Sequence, residues 1–139
     1  MRLRISIVLT AAVAALLVTI GAGCASNSSE SVPTGAELIG TWKQTGAGYG
    51  NGEPVIWAEQ LVVIEAADGQ GFAGFKEYTP KGEAPQREMV NGVIAPNGDI
   101  LITDEDGFFR GRLEDETILG QYAEVGDDSS AINLELKRK

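Results

Sequence analysis

The sequence contains no histidine, one cysteine and two methionines, and only 6% of its 139 residues are aromatic. Each shortage closes off some chemistry. Without histidine, the usual base of a nucleophilic triad and the commonest nitrogen ligand of zinc are both missing. A lone cysteine forms no internal disulfide, and none of the neighbours it would need as a base is present. Phosphate-cradling glycine patterns, the P-loop and the dinucleotide fingerprint, are absent too. Basic residues are few: 11 Lys and Arg stand against 20 Asp and Glu, a net charge of −9. Such a surface does not neutralise phosphate and is repelled by anionic headgroups, so no nucleic-acid partner is expected. The expectation is a non-enzymatic protein with no cofactor and no metal site.

Long apolar runs are also lacking, with one exception. Ile5 to Ile20 carries no charge and follows Arg2 and Arg4. As a helix at 1.5 Å per residue it would reach about 24 Å, short of the roughly 30 Å hydrocarbon core. A basic start, a short apolar stretch and the small residues Gly21, Ala22 and Gly23 have the pattern of a secretory signal over residues 1–23. The cut would fall before Cys24. The run Ile20-Gly21-Ala22-Gly23-Cys24 resembles the lipobox of bacterial lipoproteins, with Gly21 where leucine is usual. That resemblance implies that Cys24 becomes the N-terminus and carries a thioether-linked diacylglycerol, with an acyl chain such as palmitate on its amine. Two or more chains anchor a protein stably. The implied place is a cell membrane or an outer membrane, lipid-anchored and extracytoplasmic. Loss of Arg2 and Arg4 would leave 9 bases against 20 acids, a net charge of −11. Residues 24–37 then read as the lipidated cysteine and a flexible, Ser-rich linker.

From residue 38 to 139 the chain reads as one all-β domain. Short apolar stretches alternate with turn signals, and eight strands are predicted: 38–45, 57–65, 71–79, 87–94, 99–104, 108–113, 116–125 and 131–138. Consecutive hairpins suggest an antiparallel up-and-down meander, which eight strands can close into a barrel. A bulky residue stands two before a glycine five times, as in Phe72 and Gly74, Val90 and Gly92, or Phe109 and Gly111. Residues two apart share a face, so these glycines fit an inner wall where backbones crowd. The same parity points Leu38, Trp42, Gln44, Lys76, Tyr78, Tyr122 and Arg138 inward. Phe75, Met89 and Phe108 fall on the outward parity.

Gly40-Thr41-Trp42 on the first strand, with Arg138 at the end of the last, resembles the signature of the calycins, the lipocalin and avidin group of barrels. The resemblance implies that Trp42 and Arg138 stack to close the barrel floor and that a ligand enters at the other end. Biotin is not carried over, because only Trp42 and Trp57 are present. Candidate ligand-binding residues are Gln44, Tyr78 and Tyr122, with Tyr49 from the glycine-rich stretch Gly46 to Gly52, which reads as a mobile loop over the mouth. The ligand expected is a small apolar or amphipathic molecule. The alternative is an interaction or structural lipoprotein with a filled barrel and an envelope-protein partner. The acidic stretch Thr103 to Gly107 lacks calcium-loop spacing and reads as a turn.

Overall fold

Clean alternation from Ala131 to Arg138 predicts one buried and one wet face, and a computed structural model, which describes residues 31–80 and 82–139, has that arrangement. Ile132, Leu134 and Leu136 are buried, while Asn133 and Lys137 face out. The strand is the last of eight: β1 (Gly40–Gly50), β2 (Glu53–Asp68), β3 (Gly71–Tyr78), β4 (Gln86–Ile94), β5 (Asp99–Thr103), β6 (Gly107–Glu114), β7 (Thr117–Glu124) and β8 (Ser130–Arg138). Each pairs antiparallel with the next, and β8 returns to β1, so the sheet is a closed barrel. Closure leaves no sheet edge along the paired length. The signal segment and Cys24 lie outside the described residues.

The chain enters the barrel before residue 38. A one-turn helix, α1 (Gly35–Leu38), starts where Glu37 accepts hydrogen bonds from the Thr34 backbone N–H at 2.6 Å and its hydroxyl at 2.9 Å. This is half of a capping box, encoded by Thr-x-x-Glu. Val32 packs against the core and Leu38 is fully buried, so the stretch 31–37, expected within the linker, lies against the barrel. Leu38 ends this helix and does not start a strand. Gly40 then turns the chain into β1 at φ +138, where a Cβ would meet Arg138 Nη1 at 2.9 Å.

The largest departure from expectation is Gly46 to Gly52. It is not a loop. Gly46 to Gly50 continue β1, paired with β2 on one side and β8 on the other. The glycines are there for closeness. A Cβ on Gly48 would lie 2.0 Å from the Ala131 carbonyl oxygen, and one on Gly46 would lie 2.3 Å from Leu134 Cδ2. The turn itself is Asn51-Gly52, both at positive φ, as a tight hairpin requires.

Inside, the repeated glycines make room for rings. Gly92 lies opposite Phe72, and a Cβ there would sit 2.1 Å from Phe72 Cζ. Gly111 and Gly120 face each other across β6 and β7 beneath Phe109 Cζ, which a Cβ on either would approach to 2.6 Å. Aromatic side chains thus cover bare backbone on neighbouring strands. The rest of the interior is filled by large apolar side chains, among them Ile64, Ile94, Ile100 and Ile118, all essentially without solvent contact.

One end of the barrel is shut. Trp42 is fully buried and donates its indole N–H to the Leu38 carbonyl at 2.9 Å. Arg138 lies opposite Trp42 in the β1–β8 register, with its guanidinium carbon 4.3 Å from the indole ring centre. It also donates to the carbonyls of Glu37 (2.6 Å) and Ile39 (2.9 Å), which α1 leaves free at its C-terminal end. This floor gathers the entry helix, the start of β1 and the end of β8.

Candidate functional site

The opposite end is built from β2. Its pairing with β1 jumps between Gln44↔Gln60 and Gly46↔Trp57, so two residues of β2, Ala58 and Glu59, stand against Thr45 alone. Glu59 takes φ +62 at this bulge, and its carboxylate meets Lys43 Nζ at 2.9 Å. A bulge resets the parity of a strand. Gln60, Val62 and Ile64 point inward on one side of it, and Trp57 is half-buried on the other. Trp57 therefore tilts over the barrel mouth, its ring 5.1 Å from that of Tyr122 at 54°.

Below these rings is a buried ionic layer. Lys76 Nζ lies 2.7 Å from Asp104 Oδ2 and 2.9 Å from Glu88 Oε2, and all three side chains are at most 11% exposed. Asp104 also accepts from the Tyr122 hydroxyl (3.1 Å) and from the backbone N–H groups of Asp106 (3.2 Å) and Gly107 (2.8 Å). Glu88 accepts from the Tyr78 hydroxyl through its other oxygen, Oε1. The ammonium sits 5.2 Å from the Tyr78 ring centre and 5.5 Å from that of Tyr122. At the same level Gln44 donates to Gln60 at 2.7 Å.

Electrostatics follow from this arrangement. Burial works against the charge on Lys76, but the hydrogen bonds and charges of Asp104 and Glu88 outweigh it and hold the ammonium above its ordinary pKa. Burial likewise works against ionised Asp104, and Lys76, the Gly107 N–H and the Tyr122 hydroxyl together hold its carboxyl below the usual value. Tyr122 is pushed up by burial and by the Asp104 charge, and Tyr78 chiefly by its bond to Glu88, so both phenols stay neutral. At the rim, burial raises the Glu124 carboxyl, and the charges of Asp106 and Asp128 push it the same way.

A depression of about 750 Å³ lies above this layer, lined by Trp57, Tyr78, Tyr122, Lys76, Pro80, Asp106 and Glu124 among others. Beneath it, between Gln44, Trp57, Asp104 and Phe109, the interior keeps only about 20 Å³. That is room for about one water molecule. The barrel therefore offers an open mouth over a packed core, and no deep cavity.

The residues expected at a ligand site divide accordingly. Tyr78 and Tyr122 line the depression, and Gln44 lines the small gap beneath it. Tyr49 does not belong with them: it is 63% exposed on the outside of β1, because the stretch expected to fold over the mouth is strand. Trp57, Glu88 and Asp104 were not anticipated. One of them, Glu88, had a visible signal. An inward lysine needs a buried partner, and Glu88 shares the inward parity of Val90 and Gly92, directly across from Lys76. On the outer wall, Met89 and Phe108 are exposed as parity suggests, but Phe75 is covered by the Arg87 guanidinium 3.4 Å from its ring centre.

No protein-family model matches the chain, and no curated protein matches it. Among solved structures, a protein of unknown function from Bacteroides ovatus superimposes with a TM-score of 0.51 at 10% identity, over 72% of this chain and 41% of that one. The chain thus spans less than half of that protein, and the likeness shows the fold alone. Zebrafish ileal bile acid-binding protein complexed with cholic acid matches over 73% of this chain and 98% of that one, at 9% identity. Its TM-score of 0.39 is too low to bear on the function of this chain.

Proposed function

We propose that this chain is a non-enzymatic, lipid-anchored lipoprotein of the cell envelope whose calycin-like barrel binds an amphipathic ligand at its mouth. The observation that carries the reading is the 750 Å³ depression with Trp57, Tyr78 and Tyr122 on its walls, set over a core with almost no free volume. Its walls combine aromatic and aliphatic side chains with charged ones, the mix that an amphipathic ligand requires. The packed interior moves the expected ligand from the barrel's inside to its rim.

A lipid anchor on Cys24 would agree with the same reading. The described chain begins beside the floor, where the Gly35 N–H bonds to the Gly69 carbonyl at 3.0 Å. The six residues from 25 to 30 would span at most about 20 Å when extended. A lipid on Cys24 would therefore hold the floor toward the membrane and turn the mouth away from it, toward ligands in the aqueous compartment.

Native mass spectrometry of residues 25–139, taken directly from cells, tests the proposal. A stoichiometric extra mass, released on denaturation and absent from a Trp57→Ala variant, is the expected result. A mass retained equally by that variant, or no bound mass and no binder in a small-molecule screen, would refute it. The second reading, a barrel that serves only as an interaction module, is favoured by the packed interior. It predicts a clean apo mass and a reproducible cross-linked envelope partner.

A further inference from the structure

The lining of the mouth has a feature that a simple cup lacks. Six consecutive residues of β2, Ile56 to Leu61, the last three of β3, Lys76 to Tyr78, and the two that follow it, Thr79 and Pro80, all border the depression. Neighbouring residues of a strand point to opposite faces, so one face supplies every second residue only. Consecutive lining means that the strands present their edges. The pairings agree: β3 meets β2 only from Leu61↔Glu77 onward, and among the described residues Glu53 to Gln60 pair with β1 alone. The depression is a slot where the barrel wall is open between β2 and β3.

The open edge has limits. Pro54 lacks an N–H at one end, and the bulge at Ala58 and Glu59 ends the regular stretch at the other. What remains is Val55 to Trp57, with Ile56 81% exposed beside half-buried Trp57. Such short, bracketed edges resist sheet-to-sheet aggregation while still able to pair with one added strand. Among the described residues, the charge around the slot that no partner holds has one sign. Lys76 is the sole cation among the described lining residues, and Asp104 and Glu88 already hold it. Asp106 and Glu124 have no ion pair among the described residues, and Glu77 has only Arg87 at 4.0 Å.

We propose that the mouth ligand is an extended peptide segment with alternating apolar and basic residues, which adds as a short strand to the free edge of β2. This rests on the proposal that ligands bind at the mouth. Main-chain hydrogen bonds to Val55–Trp57 align the segment, its apolar side chains pack beside Ile56 on the outer face, and its Lys or Arg side chains lie on the Trp57 face, where they meet Asp106 and Glu124.

The test uses the full chain and a capped hexapeptide of alternating valine and lysine, followed by Trp57 emission, with Trp57→Phe as the signal control. A strand added along one edge uses the N–H groups of every second peptide residue. N-methylation of one alternate set should therefore weaken binding at least tenfold, and N-methylation of the other should leave it within about twofold. Replacing lysine by glutamate should abolish it. Equal binding of both methylated peptides, or of the glutamate peptide, would overturn the inference, as would absence of binding by the valine–lysine peptide. If that peptide fails while a small amphipathic molecule perturbs Trp57, the mouth site stands and only its ligand class is wrong. If neither perturbs it, both proposals fall.

Discussion

The two ends of this barrel solve the same problem differently. Both must close a cylinder with polar groups in it. At the floor every such group named above is matched within the fold: the Trp42 N–H by Leu38, and the Arg138 guanidinium by the indole face and two helix carbonyls. At the mouth, three charged side chains are buried together, Lys76 lying 2.9 Å from Glu88 Oε2 and 2.7 Å from Asp104 Oδ2. Above them the β2–β3 wall is open. The floor is built for stability. The mouth keeps charge, aromatic surface and backbone edge available, at some cost in stability.

That contrast can be broken from either end. Trp42→Ala should have the largest effect, about 3–5 kcal/mol of lost stability by denaturant unfolding, since it leaves a cavity under the floor. Lys76→Met should follow at about 3 kcal/mol, because Asp104 and Glu88 would remain buried without a cation. Its loss should shrink as pH falls and Asp104 protonates, a dependence that Trp42→Ala should lack.

The wild-type barrel should show the sign of the ionic layer directly. Asp104 is held below its unfolded value, so its contribution is full above about pH 4 and is lost as pH falls through the lower folded value. Lys76 is held above its own, so its contribution is full below about pH 10 and is lost as pH rises through the folded value. Urea midpoints should therefore form a plateau between these limits. A midpoint that climbs steadily from pH 5 to pH 9 would contradict the buried triad.

Smaller effects sharpen the comparison. Arg138→Ala should cost about 1–2 kcal/mol, since the group is partly wet and its carbonyl partners can turn to water. Trp57→Phe should change stability by less than about 1 kcal/mol. Glu59→Gly should stabilise slightly, by up to about 1 kcal/mol, because it relieves a left-handed residue at an exposed bulge.

Much of the floor was legible in the sequence and much of the mouth was not, for a physical reason. Strand parity along Ile132, Leu134, Leu136 and along Trp42, Gln44 propagates from one residue to the next while pairing is regular. Bulges break it. The jump at Ala58 and Glu59 is what brings Trp57 to the mouth, and no alternation rule carries across it. The glycines of β1 misled in a different way. Composition reads Gly46, Gly48 and Gly50 as freedom, whereas the first two are needed because β8 passes within contact distance. The hairpin signal was still present in Asn51-Gly52. Asp104 was hidden because it belongs to a turn by sequence and to the core by its side chain.

The most direct test of the division between the ends is fluorine NMR of the protein labelled with fluorotryptophan, which reports Trp42 and Trp57 as separate lines. On addition of the low-molecular-weight extract of the producing cells, the Trp57 line should shift and the Trp42 line should stay. A shift of the Trp42 line, which would mean binding inside the barrel, or no shift of either, would contradict the account.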